Sequence, residues 1–193
     1  MANAQTGQIP TLLFLGDSLT EGHGVAPEQT YPEVLAHLIK SNNKTDVKIL
    51  NGSESGSTSK SGMARLNWYT KVKVDYVIIA LGANDGLRGM KPDITKKNLE
   101  ELIKESKKRN LKTILFGMKM PPNYGPGHTE RFAAIFKELA KEQSVPFFPF
   151  LLEGIAANKE YNQPDGIHPN EKGHKKMAEN VYQFFKQQKI IIQ

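Results

Sequence analysis

A serine, an aspartate and a histidine, each beside a glycine-bearing turn, are residue types that together make a hydrolytic site. Ser18 follows an unbroken apolar run, Leu12-Leu13-Phe14-Leu15, that stops at Gly16-Asp17. So short a run suits a strand buried on both faces. In an open α/β sheet, ligands bind just past the C-terminal ends of such strands. A serine hydroxyl is a weak nucleophile and needs a base, most often histidine. Asp165 and His168 stand three apart in Asp165-Gly166-Ile167-His168-Pro169. On a turn, that spacing lets the carboxylate hold the imidazole Nδ1–H and leaves Nε2 for Ser18. The oxyanion of a tetrahedral intermediate then needs donors. The backbone N–H groups of Ser18 and Gly56 and the side-chain amide of Asn84 supply three. Gly56 suits the role because a missing Cβ lets substrate approach the backbone.

Taken singly, each residue has a plainer explanation. Ser18 can cap a helix, Asn84-Asp85-Gly86 is ordinary turn chemistry, Gly56 can serve a turn, and Asp165 can cap a loop. Taken together, at corresponding strand ends and in one order, they make a coherent site. His23 is the rival base, nearest Ser18 in sequence, but Glu21 is only two residues away and has to fold back to orient it. His37, His128 and His174 read as structural or exposed.

The elements that position these residues alternate strand and helix. Strands are expected at 11–16, 47–50, 74–81, 113–118 and 145–150. Helices are expected from a Thr30-x-x-Glu33 capping box to about Lys40, over 93–109, from Thr129, as a helix-like segment to about Ala157, and from Asn170 to about Lys186. The stretch 51–61, dense in Gly and Ser, reads as a functional loop, 82–86 as a turn and 121–128 as a loop. Such alternation implies a parallel sheet covered by helices on both faces.

Composition narrows the classes. The chain has 193 residues, 38% apolar and 24% charged, which fits one globular domain. It has no cysteine, so disulfides and thiolate metal sites are excluded. No apolar run approaches the roughly 18 residues a membrane span needs. The net charge of +6 comes from lysines interspersed with glutamates, as in 96–108, which describes a solvated helix face. A nucleic-acid partner is not expected. Ala2-Asn3-Ala4 resembles the small-residue site beside a signal-peptide cut. A trimmed upstream signal implies a bacterial periplasmic or secreted protein; otherwise the cytoplasm is expected. Ser57-Thr58-Ser59-Lys60 matches a Ser-x-x-Lys motif without its partner motifs, and a Gly-x-Ser-x-Gly elbow is absent.

Four blocks in order carry a resemblance to the GDSL esterases, or SGNH hydrolases. They are Gly16-Asp17-Ser18-Leu19, Gly56 within 51–58, Gly82-Ala83-Asn84-Asp85, and Asp165-Gly166-Ile167-His168. Asn84-Asp85-Gly86-Leu87-Arg88-Gly89, Pro122-Asn123-Tyr124-Gly125 and Asp165 to Asn170 are similar to the bacterial thioesterase I/lysophospholipase L1 and arylesterase branch. The resemblance implies a flavodoxin-like three-layer α/β/α sandwich with a mostly parallel five-stranded sheet. It spans about Leu12 to the C-terminal helix and implies a single SGNH hydrolase domain at 11–193, behind a polar segment at 1–10 that is expected to be a flexible tail. It also implies hydrolysis of short- to medium-chain acyl esters or thioesters, with lysophospholipids or acyl-CoA as further substrates, and no metal or cofactor. Ser18 is then nucleophile, His168 base, Asp165 its orienter, and Ser18, Gly56 and Asn84 the oxyanion donors; Asp17 is not the triad acid. Loop position suggests Leu87, Met90, Tyr124 and Ile167 for the acyl pocket. A carbohydrate O-deacetylase and a non-catalytic α/β binding domain are the alternatives.

Overall fold

The computed structural model describes residues 9–191. The Ala2-Asn3-Ala4 site and most of the expected tail therefore lie outside the described residues. The Pro10 carbonyl already accepts from the Lys48 N–H at 2.9 Å, so sheet bonding begins just ahead of the first strand.

Among the described residues, five strands form one sheet in which every neighbouring pair is parallel: β1 (Thr11–Gly16), β2 (Lys48–Asn51), β3 (Tyr76–Ala80), β4 (Lys112–Phe116) and β5 (Phe147–Phe148). Their order is β2-β1-β3-β4-β5, the flavodoxin-like arrangement whose switch point lies between β1 and β3. The sheet is wholly parallel rather than mostly so. β1 lies second from one edge and is buried along its whole length, which accounts for its continuous apolar run. Phe14 meets Tyr31 edge-on at 5.7 Å.

Seven helices are found among the described residues: α1 (Ser18–Glu21), α2 (Tyr31–Asn43), α3 (Gly62–Tyr69), α4 (Ala83–Leu87), α5 (Pro92–Lys108), α6 (Pro126–Gln143) and α7 (Glu171–Gln187). α2 packs with α7, while α5 packs with both α3 and α6. The core between these layers contains Leu12, Phe14, Phe116, Phe132, Phe136 and Phe185, all nearly or fully buried. Each such side chain contributes about 1.5–3 kcal/mol of transfer free energy.

Several local expectations give way to neighbours. Thr30 does sit at the N-cap of α2, but its side chain makes no capping bond to the helix. Its Oγ1 donates instead to the Pro27 carbonyl at 2.8 Å, closing the short 3₁₀ turn Pro27–Gln29. α2 also runs on through Ser41-Asn42-Asn43 and stops at Lys44 in the left-handed region. The turn expected at 82–86 winds into α4. α6 starts at Pro126, ahead of Thr129, with proline in its first turn where the missing N–H costs nothing. β5 keeps only two residues, because Pro146 and Pro149 flank it without donors. The segment 151–157 forms consecutive turns rather than a helix; Gly154 and Ala157 take positive φ.

Candidate active site

β1 delivers its serine through a tight reversal. An added Cβ at Gly16 would collide with the Thr20 side chain, so only glycine lets α1 fold back this closely. Asp17 then caps α1, accepting from the Leu19 N–H at 3.1 Å, and Ser18 is the first helical residue. Ser18 Oγ lies 2.9 Å from His168 Nε2, although 150 residues separate them. His168 Nδ1 lies 2.7 Å from Asp165 Oδ2. The other Asp165 oxygen accepts the backbone N–H groups of Ile167 (2.9 Å) and His168 (3.0 Å). The backbone bond from His168, followed by the imidazole bond, draws the Asp165 carboxyl down to about 2. It is therefore a carboxylate at neutral pH, and Nδ1 carries the proton.

The loop holding the imidazole is itself held. The Gln163 N–H donates to the His168 carbonyl at 2.8 Å. Its side-chain amide donates to the carbonyls of His23 (2.7 Å) and Pro169 (3.0 Å), tying the histidine loop to the serine loop. Asn170 caps α7 through Gly173 N–H and bonds back to Glu160 and Asn162.

Gly56 sits at the tip of the loop after β2 with φ +78°, a left-handed conformation that favours glycine. Asn84 lies in α4, and its Nδ2 donates one hydrogen to the Ser57 carbonyl at 3.0 Å, leaving the second for a ligand. Among the described residues, neither the Ser18 nor the Gly56 N–H donates to a protein acceptor. Asp85, fully buried, fixes α4 by accepting from Ser59 N–H (2.8 Å), the Ser59 hydroxyl and the Thr95 hydroxyl (3.2 Å).

Asp17 is 1% exposed, and its Oδ2 has no hydrogen-bond partner among the described residues. Burial pushes its carboxyl up to about 7. His23 is exposed, with its ring centre 4.6 Å from that of His168. Glu21 does not reach it; that carboxylate bonds Ser55 instead. His37 is exposed. His128 lies in the first turn of α6 rather than in a loop. His174 is buried and structural: its Nδ1 accepts from the Tyr31 N–H at 3.2 Å, and desolvation draws it down to about 4.

From Ser18 an apolar cleft of about 600 Å³ extends toward the ends of β4 and β5, within the range of small-molecule sites. Leu87 and Ile167 line it, as loop position suggests. Met90 and Tyr124 are not among its lining residues. The Tyr124 hydroxyl instead donates to the Leu87 carbonyl at 3.0 Å. Met118, Met120, Phe150 and Leu152 make up much of the wall and were not anticipated from sequence. Their signal was a pair of methionines flanking Lys119 just after β4 and the apolar residues Phe150 and Leu152 just after β5. Among the described residues, no His, Asp and Glu cluster has an arrangement that could hold a metal ion.

The model of the GDSL-like lipase/acylhydrolase family matches residues 14–176. The chain is 40% identical over 161 residues to thioesterase 1/protease 1/lysophospholipase L1 of Escherichia coli, covering 83% of this chain and 76% of that protein. It is 37% identical over 173 residues to an arylesterase of Vibrio mimicus, covering 89% and 86%. The crystal structure of the psychrotrophic esterase EstA from Pseudoalteromonas sp., inhibited by monoethylphosphonate, superposes with a TM-score of 0.87. That match has 31% identity and covers 92% of this chain and 97% of that one.

Proposed function

The chain belongs to the GDSL-like lipase/acylhydrolase family and is an esterase/thioesterase, and from that premise we propose that it works through an acyl-enzyme on Ser18. His168 Nε2 removes the Ser18 proton as Oγ attacks the acyl carbon. The resulting oxyanion receives the N–H groups of Ser18 and Gly56 and the free hydrogen of the Asn84 amide. His168 then gives the proton to the departing alcohol or thiol, leaving the acyl group on Ser18 Oγ. Water, deprotonated by the same nitrogen, attacks the acyl carbon; the second intermediate collapses to the carboxylic acid and free serine. Asp165 stabilises the imidazolium formed in each half-reaction and is not itself protonated.

The observation that carries this reading is the relay from Asp165 through His168 to Ser18, with spacings of 2.7 and 2.9 Å. The apolar wall beyond Ser18 favours an acyl chain over a sugar, which a carbohydrate O-deacetylase has to read with polar groups. Short- to medium-chain acyl esters and thioesters are therefore the substrate class. Hydrolysis of p-nitrophenyl acetate and butyrate by Ser18→Ala tests the reading. Activity is expected to fall by at least about a thousandfold with the fold retained; full activity in that variant contradicts it.

A further inference from the structure

We propose that Glu21 and Arg88 are positioning residues that clamp the Gly56 loop, so that the three oxyanion donors are held as one unit. This rests on the acyl-enzyme reading above. The root of the loop is bound to the body of the protein. Asn51 Nδ2 donates to the Thr20 carbonyl at 2.8 Å, Arg65 Nη1 to the Gly52 carbonyl at 2.6 Å, and Glu54 N–H to the Gly16 carbonyl at 3.3 Å. The tip, where Gly56 sits, is exposed and has positive φ. Two charged side chains hold it there. Glu21 Oε2 accepts the Ser55 N–H at 2.8 Å and also the Ser55 hydroxyl. Arg88 Nη2 donates to the Gly56 carbonyl at 3.0 Å.

The placement of these bonds along the chain is what matters. The Gly56 N–H belongs to the peptide between residues 55 and 56. Glu21 holds the peptide before it and Arg88 the peptide after it, so the donor plane is fixed from both sides while its own N–H stays free. The origins of the clamps matter equally. Glu21 ends α1, the helix that Ser18 begins; Arg88 caps α4, the helix that contains Asn84. Each short helix that presents one oxyanion donor thus also grips the loop that presents the third.

Both clamps are exposed, so they add little to global stability. A donor displaced by about 1 Å nevertheless costs on the order of a hundredfold in rate. The readout is therefore kcat, separated from KM and from unfolding. Glu21→Ala and Arg88→Ala are each expected to lower kcat on p-nitrophenyl butyrate by about ten- to a hundredfold. KM should stay within about twofold, and the thermal midpoint within a few degrees. Glu21→Gln and Arg88→Lys, which keep an acceptor and a donor, should recover most of the loss. Wild-type kcat in both alanine variants, a rise in KM at unchanged kcat, or a kcat loss explained by a collapsed thermal midpoint overturns the clamp. Ser18→Ala, assayed alongside, separates the two failures. If it is inactive while the alanine variants match wild type, only the clamp falls; if it is active, the acyl-enzyme reading falls first.

Discussion

Past the ends of β1, β2 and β3 the chain presents Ser18, Gly56 and Asn84, and the loop that enters α7 adds Asp165 and His168; all are held by hydrogen bonds to backbone and to charged or buried polar side chains. Past the ends of β4 and β5 it presents Met118, Met120, Phe150 and Leu152, whose contribution is apolar packing surface. Ser18 lies where the two halves meet. The polar half has to place single atoms to within fractions of an ångström, so it is over-determined: Asp165 alone accepts three hydrogen bonds. The apolar half only has to exclude water and offer volume, and flexible methionines suffice for that. On this reading the polar half decides whether acyl transfer happens, and the apolar half decides which acyl chain is taken.

Breaking the polar half should have the largest effects. His168→Ala is expected to cost about a thousandfold or more in kcat, measured on p-nitrophenyl butyrate. His23→Ala, which removes only the neighbouring ring, is expected to cost less than about tenfold; equal losses would make the pair, rather than His168, the base. Asn84→Ala removes one of the proposed oxyanion donors and should lower kcat by about 10²–10³ with little change in KM.

Changes in the apolar half should alter preference more than rate. Each methylene that enters the cleft gains about 0.8 kcal/mol, or roughly fourfold in kcat/KM, until the space is filled. Ala156→Phe, which fills part of the cleft, should reduce the octanoate-to-acetate ratio by roughly ten- to a hundredfold while acetate turnover persists. A uniform loss on both esters would erase the distinction between the halves. Met90→Ala, outside the cleft lining, should leave the chain-length profile unchanged.

Away from both halves, His174 predicts a modest dependence of stability on pH. Burial draws it from 6.5 to about 4, so between those values the unfolded chain binds a proton that the native state refuses. Its stabilising contribution is present above pH 6.5 and is lost as the pH falls toward 4, up to roughly 3 kcal/mol. Urea unfolding at pH 7 and 4.5 should show a smaller decline in His174→Gln than in wild type.

The polar half was legible in the sequence because its requirements are local. Gly16-Asp17-Ser18, Gly56, Asn84 and Asp165-x-x-His168 each carry their turn chemistry within a few residues, and strand alternation ordered them along one sheet edge. The apolar half was not, because a cleft wall is made by residues from separate loops with no common spacing. Leu87 and Ile167 were found only by lying beside polar motifs. Tyr124 lay equally near a motif, yet its hydroxyl reaches the Leu87 carbonyl and it does not line the cleft. The same contrast runs through the fold. Buried β1 was read to the residue. The Thr30 cap and the expected helix at 151–157 failed where a neighbouring turn captured the hydroxyl and positive-φ residues interrupted the winding.

The most direct test of the central claim is peptide mass spectrometry after treatment with a fluorophosphonate. One adduct per chain, located on Ser18 and absent from Ser18→Ala, is the predicted result. An adduct on any other residue, or none from a protein that turns over p-nitrophenyl butyrate, would contradict it.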